Sequence, residues 1–232
     1  MMDFVSCISA LLSLDQQWLV AINQCHAPWA DVVMWVISAK WTWIPLYAVL
    51  IGCVVWRYRK YSAPAGSVVA RMAKVLHVSS ESGKGWIACG LVLLSFAVAV
   101  GAADYISSGI IKHAVCRLRP THEPALEGML HIVNGYRGGM YGFVSSHAAN
   151  TMACGLLFSL IWKNRKATSG LMLWVALNCY SRMYLGVHYP LDILGGLIVG
   201  SLVAVVVYLL LRCCRLVGAA SDTEVAVEAP VG

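Results

Sequence analysis

Apolar residues fall in long blocks along this chain, cut by short polar segments. Trp86–Ile111 and Leu191–Leu211 are the clearest blocks, each close to the ~20 residues that cross a hydrocarbon core. Each carries one acidic residue near an end, Asp104 and Asp192. Ala148–Trp162 and Leu171–Leu185 read as two further, shorter spans. Pro28–Tyr58 is interrupted by Lys40 and Pro45, which predicts a short helix over Ala30–Ser38 and a span from Trp43 to Trp56. Trp41, Trp43 and Trp56 then mark the water interfaces. Ser6–Gln24 is interrupted by Asp15, Gln16 and Gln17, a pattern that favours an amphipathic helix lying in the interface over a spanning one. Arg57–Gly85 reads as a polar loop with a short surface helix over Val68–Val78, and Thr121–Phe143 as a glycine-rich polar loop. Met1–Leu14 lacks the basic start and small-residue cleavage site of a secretory signal.

The expected architecture is therefore all-α. It is an integral membrane bundle of five to six transmembrane helices with an amphipathic helix over residues 1–28, one membrane domain over 29–216 and a small, acidic, disordered tail over 217–232. No internal repeat interrupts this order. Composition agrees: 59% of the 232 residues are hydrophobic, 12% are charged and mean hydropathy is +0.72, whereas soluble domains carry about a quarter charged residues. The net charge of +6 does not point to nucleic acid, because the chain has no long basic tract. The nine cysteines are scattered without metal-type spacing and read as small buried hydrophobes. Adjacent Cys213 and Cys214 form a weak lipidation signal.

Charge placement orients the bundle. Arg57, Arg59, Lys60, Arg71, Lys74, Lys84, Lys163, Arg165, Lys166, Arg212 and Arg215 are eleven of the seventeen basic residues. With alternating spans they all fall on one side, which is cytoplasmic by the positive-inside rule. Three polar clusters fall on the opposite face.

The first cluster is Lys112 and Arg119-Pro120. Their seven-residue spacing puts both cations on one side of a helix continuing from the preceding span; two fixed cations suit a phosphate, or else they snorkel from a span end. In the second, Ser145-Ser146-His147, a helix start offers free amides to an anion, though a serine N-cap is common in itself. The third is Ser181-Arg182, His188 and Asp192. There a carboxylate four residues after a histidine can fix its tautomer and free the other nitrogen as a nucleophile, or serve as a structural pair.

Together, Lys112-x6-Arg119-Pro120, Ser145-x-His147 and Ser181-Arg182-x5-His188-x3-Asp192 resemble the tripartite signature of the type 2 phosphatidic acid phosphatase superfamily, over roughly Trp86–Leu211. The middle motif departs from it: the family has Pro-Ser-Gly-His where this chain has Val144-Ser145-Ser146-His147. The resemblance implies a catalytic core over 86–211 in which His188 attacks phosphorus, Asp192 orients it and His147 protonates the departing oxygen. It also implies that Lys112, Arg119, Arg182 and the Ser145 and Ser146 amides bind the phosphoryl oxygens, with Ser181 supporting that site, and that no metal or other cofactor takes part. The implied substrate is a membrane lipid phosphate at the outer leaflet of a bacterial inner membrane. Small bacterial members act on lipid A, undecaprenyl diphosphate or phosphatidylglycerol phosphate; lipid A at the 4′ position is the first expectation and undecaprenyl diphosphate a close second, with no residue separating the two. A carrier of anions or lipids is the non-enzymatic alternative; it has use for the cations but none for a His–Asp pair beside a second histidine.

Other residues offer weaker chemistry. His122, Glu123, Glu127 and His131 lie close in sequence without a recognised metal spacing, and read as solvent-facing loop residues. Gly135–Gly142 is glycine-rich enough to cradle a second phosphate, or simply to turn the loop. Asp104 has two readings, a contact with the basic cluster or a place at the outer interface. Tyr141 and Phe143 are candidates for contacting the lipid.

Overall fold

Serine, asparagine and proline set the helix starts, and apolar runs then carry the helices on. The computed structural model describes residues 4–217, which form helices and short turns with one isolated β-bridge. α1 (Phe4–Gln24), α2 (Pro28–Ser38) and α3 (Ile44–Tyr58) come first, with a 3₁₀ turn at Lys40–Trp43. The short α4 (Val68–Val75) and the long α5 (Glu81–Asp104) begin at Ser67 and Ser80, whose hydroxyls accept from the amides of Ala70 and Gly83. α5 runs on through a wider π turn, Tyr105–Ile111, into α6 (Lys112–Val115). After the long outer loop come α7 (Ser146–Trp162), α8 (Arg165–Tyr184) and α9 (Pro190–Cys213).

α7 is the central helix, packed on α9, α8 and α5. Small residues allow this. A Cβ at Gly196 or Gly200 would collide with the carbonyl of Ser145 or Ala149, so the two backbones approach as closely as glycine permits. The outward faces stay apolar: Leu194, Ile198, Leu202, Val206 and Leu210 of α9 are all exposed, as a lipid-facing surface requires.

Of the five to six spans expected, two are long and apolar enough among the described residues. They are Glu81–Val115 and Pro190–Cys213, with Pro28–Ser38 and Lys40–Tyr58, bent by 67°, as a third if they form one span. α7 has only 17 residues, about 26 Å at ~1.5 Å each. α8 carries Arg165, Lys166, Asn178 and Arg182, and buries the last two inside the bundle.

α1 corrects the sequence reading more sharply. It is two-faced, but its polar side points inward: Asp15, Leu19 and Asn23 are buried while Ile8, Leu11, Leu12, Leu14 and Trp18 are exposed. Asn23 Nδ2 donates to the carbonyls of Tyr184 (2.7 Å) and His131 (2.9 Å), and its Oδ1 accepts from His131 N at 2.8 Å. Of the polar interruptions that suggested a helix resting on a water interface, Asp15 is an internal contact, whereas Gln16 is half-buried and Gln17 is exposed. The cysteines also divide. Cys89, Cys154 and Cys179 are buried, Cys53 is half-buried, and Cys7, Cys25, Cys116, Cys213 and Cys214 are at the surface. The tail expected to be disordered lies, from residue 218 on, outside the described residues; Val217 itself packs in the core.

Candidate active site

The three polar clusters converge at one end of α7. His188 lies in the turn between α8 and α9 and is buried. Pro190 starts α9, and Asp192 in its first turn places Oδ2 3.3 Å from His188 Nδ1. The same oxygen accepts from Tyr189 N at 3.1 Å, which locks the carboxylate to its own helix start. The pairing read from the four-residue spacing is present.

Lys112 and Arg119 reach the site by a different route from the one expected. The helix stops at Val115, and Cys116 takes a left-handed conformation, φ 51°, so no continuous helix joins the two cations. The chain instead runs extended, with Arg119 N donating to Met140 O and Gly142 N to Arg117 O, around a Leu118–Tyr141 bridge. Arg119 Nε donates to Tyr141 O at 3.0 Å. Two glycines of the outer loop make room. A Cβ at Gly138 would collide with Arg119 Nη1, and one at Gly142 would sit 2.8 Å from Asp192 Oδ2. These glycines seat protein side chains.

Arg182, buried at the end of α8, donates through Nη1 to Ser38 Oγ and through Nη2 to Tyr136 Oη at 3.3 Å, with its guanidinium over the Tyr136 ring. Arg119 Nη1 and Arg182 Nε are buried without a partner. Two orphaned guanidinium donors beside a histidine are a strong sign of an anion site, because an unmet buried donor is costly.

The serines serve differently from what the resemblance implies. Ser145 is the N-cap of α7, its hydroxyl accepting from Ala148 N, and its own amide donates to Asp192 O at 2.9 Å. That amide is therefore unavailable to phosphate. The amides of Ser146 and His147 stand in the first turn, where no intrahelical acceptor exists. The Ser146 hydroxyl, in place of the family's glycine, lies 2.7 Å from Lys112 Nζ and 2.6 Å from Ser108 Oγ. Ser181 is buried and its hydroxyl donates to Asn178 O at 2.7 Å, within α8 and directly before Arg182.

Electrostatics follow from this crowding of cations. Burial, and then the charges of Arg119, Arg182 and Lys112, hold the His188 imidazole well below its usual pKa. Burial raises the Tyr136 phenol, but Arg182 and Arg119 outweigh it and leave the phenol below its ordinary value. His147, at the start of α7, sits in the same field as Arg182, His188, Lys40 and Arg119.

Sequence reasoning missed Arg117, Asp15, Ser38, Tyr136 and Ser108. Asp104 accepts from Asn150 Nδ2 at 2.9 Å, so its direct partner is α7. The four outer-loop residues do not converge: His122 meets Thr121, while His131 stacks on His26 and lies 2.9 Å from Asp31. Among the described residues no group of His, Cys, Asp and Glu is arranged to hold a metal. The Tyr141 carbonyl is taken by Arg119, and the Phe143 ring lies against α9 at Gly195.

A family model described as the PAP2 superfamily matches residues 86–214, which include every one of the three clusters. The chain belongs to the PAP2 superfamily. PAP2 relatives extend the match beyond that core. A lipid A 4′-phosphatase of Porphyromonas gingivalis is 32% identical over 198 residues, 85% of this chain and 73% of the relative. A lipid A 4′-phosphatase of Bacteroides thetaiotaomicron is 30% identical over 195 residues, 84% of this chain and 75% of the relative. The crystal structure of a transmembrane PAP2-type phosphatidylglycerolphosphate phosphatase from Bacillus subtilis shares the fold, with TM-score 0.57 at 23% identity over 88% of this chain and 87% of that one. This PAP2 protein is a membrane-lipid phosphatase, a hydrolase of phosphoric esters.

Proposed function

We propose that this PAP2 phosphatase removes the 4′-phosphate of lipid A, at the outer leaflet of the bacterial inner membrane, through a phosphohistidine on His188. The observation that carries the chemistry is the His188–Asp192 pair facing buried, unpartnered guanidinium donors of Arg119 and Arg182. His188 keeps its proton on Nδ1 toward Asp192, and Nε2 attacks phosphorus. The phosphorus–oxygen ester bond breaks, and His147 gives its proton to the departing sugar oxygen. A water then gives a proton to His147 and attacks phosphorus, the phosphorus–nitrogen bond breaks, and inorganic phosphate leaves. Lys112, Arg119, Arg182 and the Ser146 and His147 amides hold the phosphoryl oxygens as charge builds.

The choice of lipid A rests on the two lipid A 4′-phosphatases that match most of this chain. The outward-facing site rests on the eleven basic residues of the opposite face, with the largely buried α7 and the half-covered α8 crossing the membrane for a total of five spans. Purified protein in detergent is to be given lipid A, undecaprenyl diphosphate and phosphatidic acid, with released lipid read by mass spectrometry. Loss of a single phosphate from the distal glucosamine of lipid A, abolished by His188→Ala, is the expected result. Faster turnover of undecaprenyl diphosphate would reassign the substrate.

A further inference from the structure

Asp192 divides its carboxylate between two neighbourhoods. Oδ2 serves His188 Nδ1 and Tyr189 N; Oδ1 accepts from Arg117 Nη1 at 2.9 Å. Arg117 turns its other nitrogen, Nη2, to Asp15 Oδ2 at 2.6 Å, and its guanidinium lies over the Tyr189 ring with Cζ 3.9 Å from the centroid. Asp15 Oδ1 accepts from Leu191 N at 2.8 Å, in the first turn of α9. The side chains of Asp15 and Asp192 are 1% and 0% exposed, and that of Arg117 is 19% exposed. A carboxylate in an apolar helix is costly, and two buried carboxylates near each other are tolerable only with a cation between them. α1 therefore brings a charge from the far N-terminal part of the chain to the outer end of the His188–Asp192 pair.

We propose that Arg117 and Asp15 are positioning residues for the nucleophile. The inference rests on His188 being that nucleophile. Arg117 pins Oδ1 of Asp192, so Oδ2 stays on His188 Nδ1 and the free lone pair stays on Nε2. When Nε2 attacks phosphorus the imidazole becomes positive, and Asp192 stabilises it. An unbalanced Arg117 would draw that negative charge toward itself. Asp15 balances Arg117, leaving the chain Asp15–Arg117–Asp192 with one net negative charge for the imidazolium. Asp15 thus acts on the reaction through Arg117, in the phosphorylation step and not in lipid binding.

The test is a double-mutant cycle on the full-length protein with a lipid phosphate in detergent micelles, fold monitored by thermal unfolding. Asp15→Asn keeps the acceptor for Leu191 N but removes the charge. It is expected to lower kcat about tenfold with KM within about twofold, and to change kcat less than about twofold in an Arg117→Gln background. Arg117→Met, also neutral, serves in the same cycle if Arg117→Gln does not fold. An equal loss of kcat in both backgrounds, a loss confined to KM, or a fall in thermal stability with kcat intact would make α1 a structural strut and overturn the inference. His188→Ala run alongside separates the two layers: persistent turnover there removes the nucleophile reading itself, while complete loss leaves the cycle to decide on Asp15 and Arg117.

Discussion

Gly138 offers the sharpest prediction, because its missing side chain makes room for the Arg119 guanidinium, proposed above to hold the phosphoryl group. An alanine Cβ there would collide with Arg119 Nη1 and lie 3.0 Å from Cζ. Nη1 has no hydrogen-bond partner, so the guanidinium yields more easily than the loop backbone. Arg119 stays tethered through Nε to Tyr141 O, and its tip swings out of line with phosphate. Losing one such donor costs about 10²–10³-fold in rate. Gly138 also has φ 68°, so alanine there destabilises by roughly 1 kcal/mol or more, a fall in Tm of about 2–4 °C for a chain of this size. Gly138→Ala is thus expected to lower kcat/KM by about 10²-fold while the protein remains folded. Gly139→Ala is the control, since a Cβ at Gly139 meets nothing within 4 Å. Phosphate release from lipid in detergent micelles, with thermal unfolding followed by tryptophan fluorescence, measures both. A Gly138→Ala protein with near wild-type kcat/KM and a lowered Tm would refute the assignment of Gly138 as the seat of Arg119.

Arg182→Lys loses the fork that reaches Ser38 and Tyr136 and the free Nε; initial-rate assays are expected to show about 10²-fold lower kcat/KM. Ser146→Ala releases Lys112 Nζ from its 2.7 Å contact and should raise KM several-fold while leaving the fold intact. The His188 pKa lies well below 6.5 in the folded protein, so the ring stays neutral as pH falls through 6.5. The acid limb of kcat/KM that belongs to this group is therefore expected below pH 6.5 in a pH–rate profile. The same sign applies to stability: the contribution of a neutral His188 is complete above the unfolded value and is lost as pH falls below it.

Much of the site was legible because its residues sit in short sequence-local clusters. His188 and Asp192 pair across the start of α9, and Ser145 caps α7 as a serine before an apolar run should. The path from Lys112 to Arg119 was not legible, because seven residues fit two helical turns as well as they fit a helix end followed by an extended segment. Cys116 in the left-handed region is what decides between them, and cysteine carries no signal for that conformation. α1 was misread because an apolar helix with a polar stripe has the same pattern whether the stripe meets water or the protein interior. Asp15 did carry a usable sign: a lone carboxylate amid apolar residues calls for a buried cation, and Arg117, two residues before Arg119, was an unassigned one. Ser38 and Tyr136 could be found only in three dimensions, since their shared partner Arg182 lies far along the chain from both.

Trapping the covalent intermediate tests the central claim most directly. Lipid A labelled with ³²P at the 4′ position is mixed with purified protein, quenched within milliseconds in alkaline detergent, and the protein is separated and digested. The expected result is label on the peptide containing His188, stable to alkali and lost in acid, and absent from His188→Ala. Turnover of the labelled lipid without label on the protein, or label persisting in His188→Ala, would contradict it.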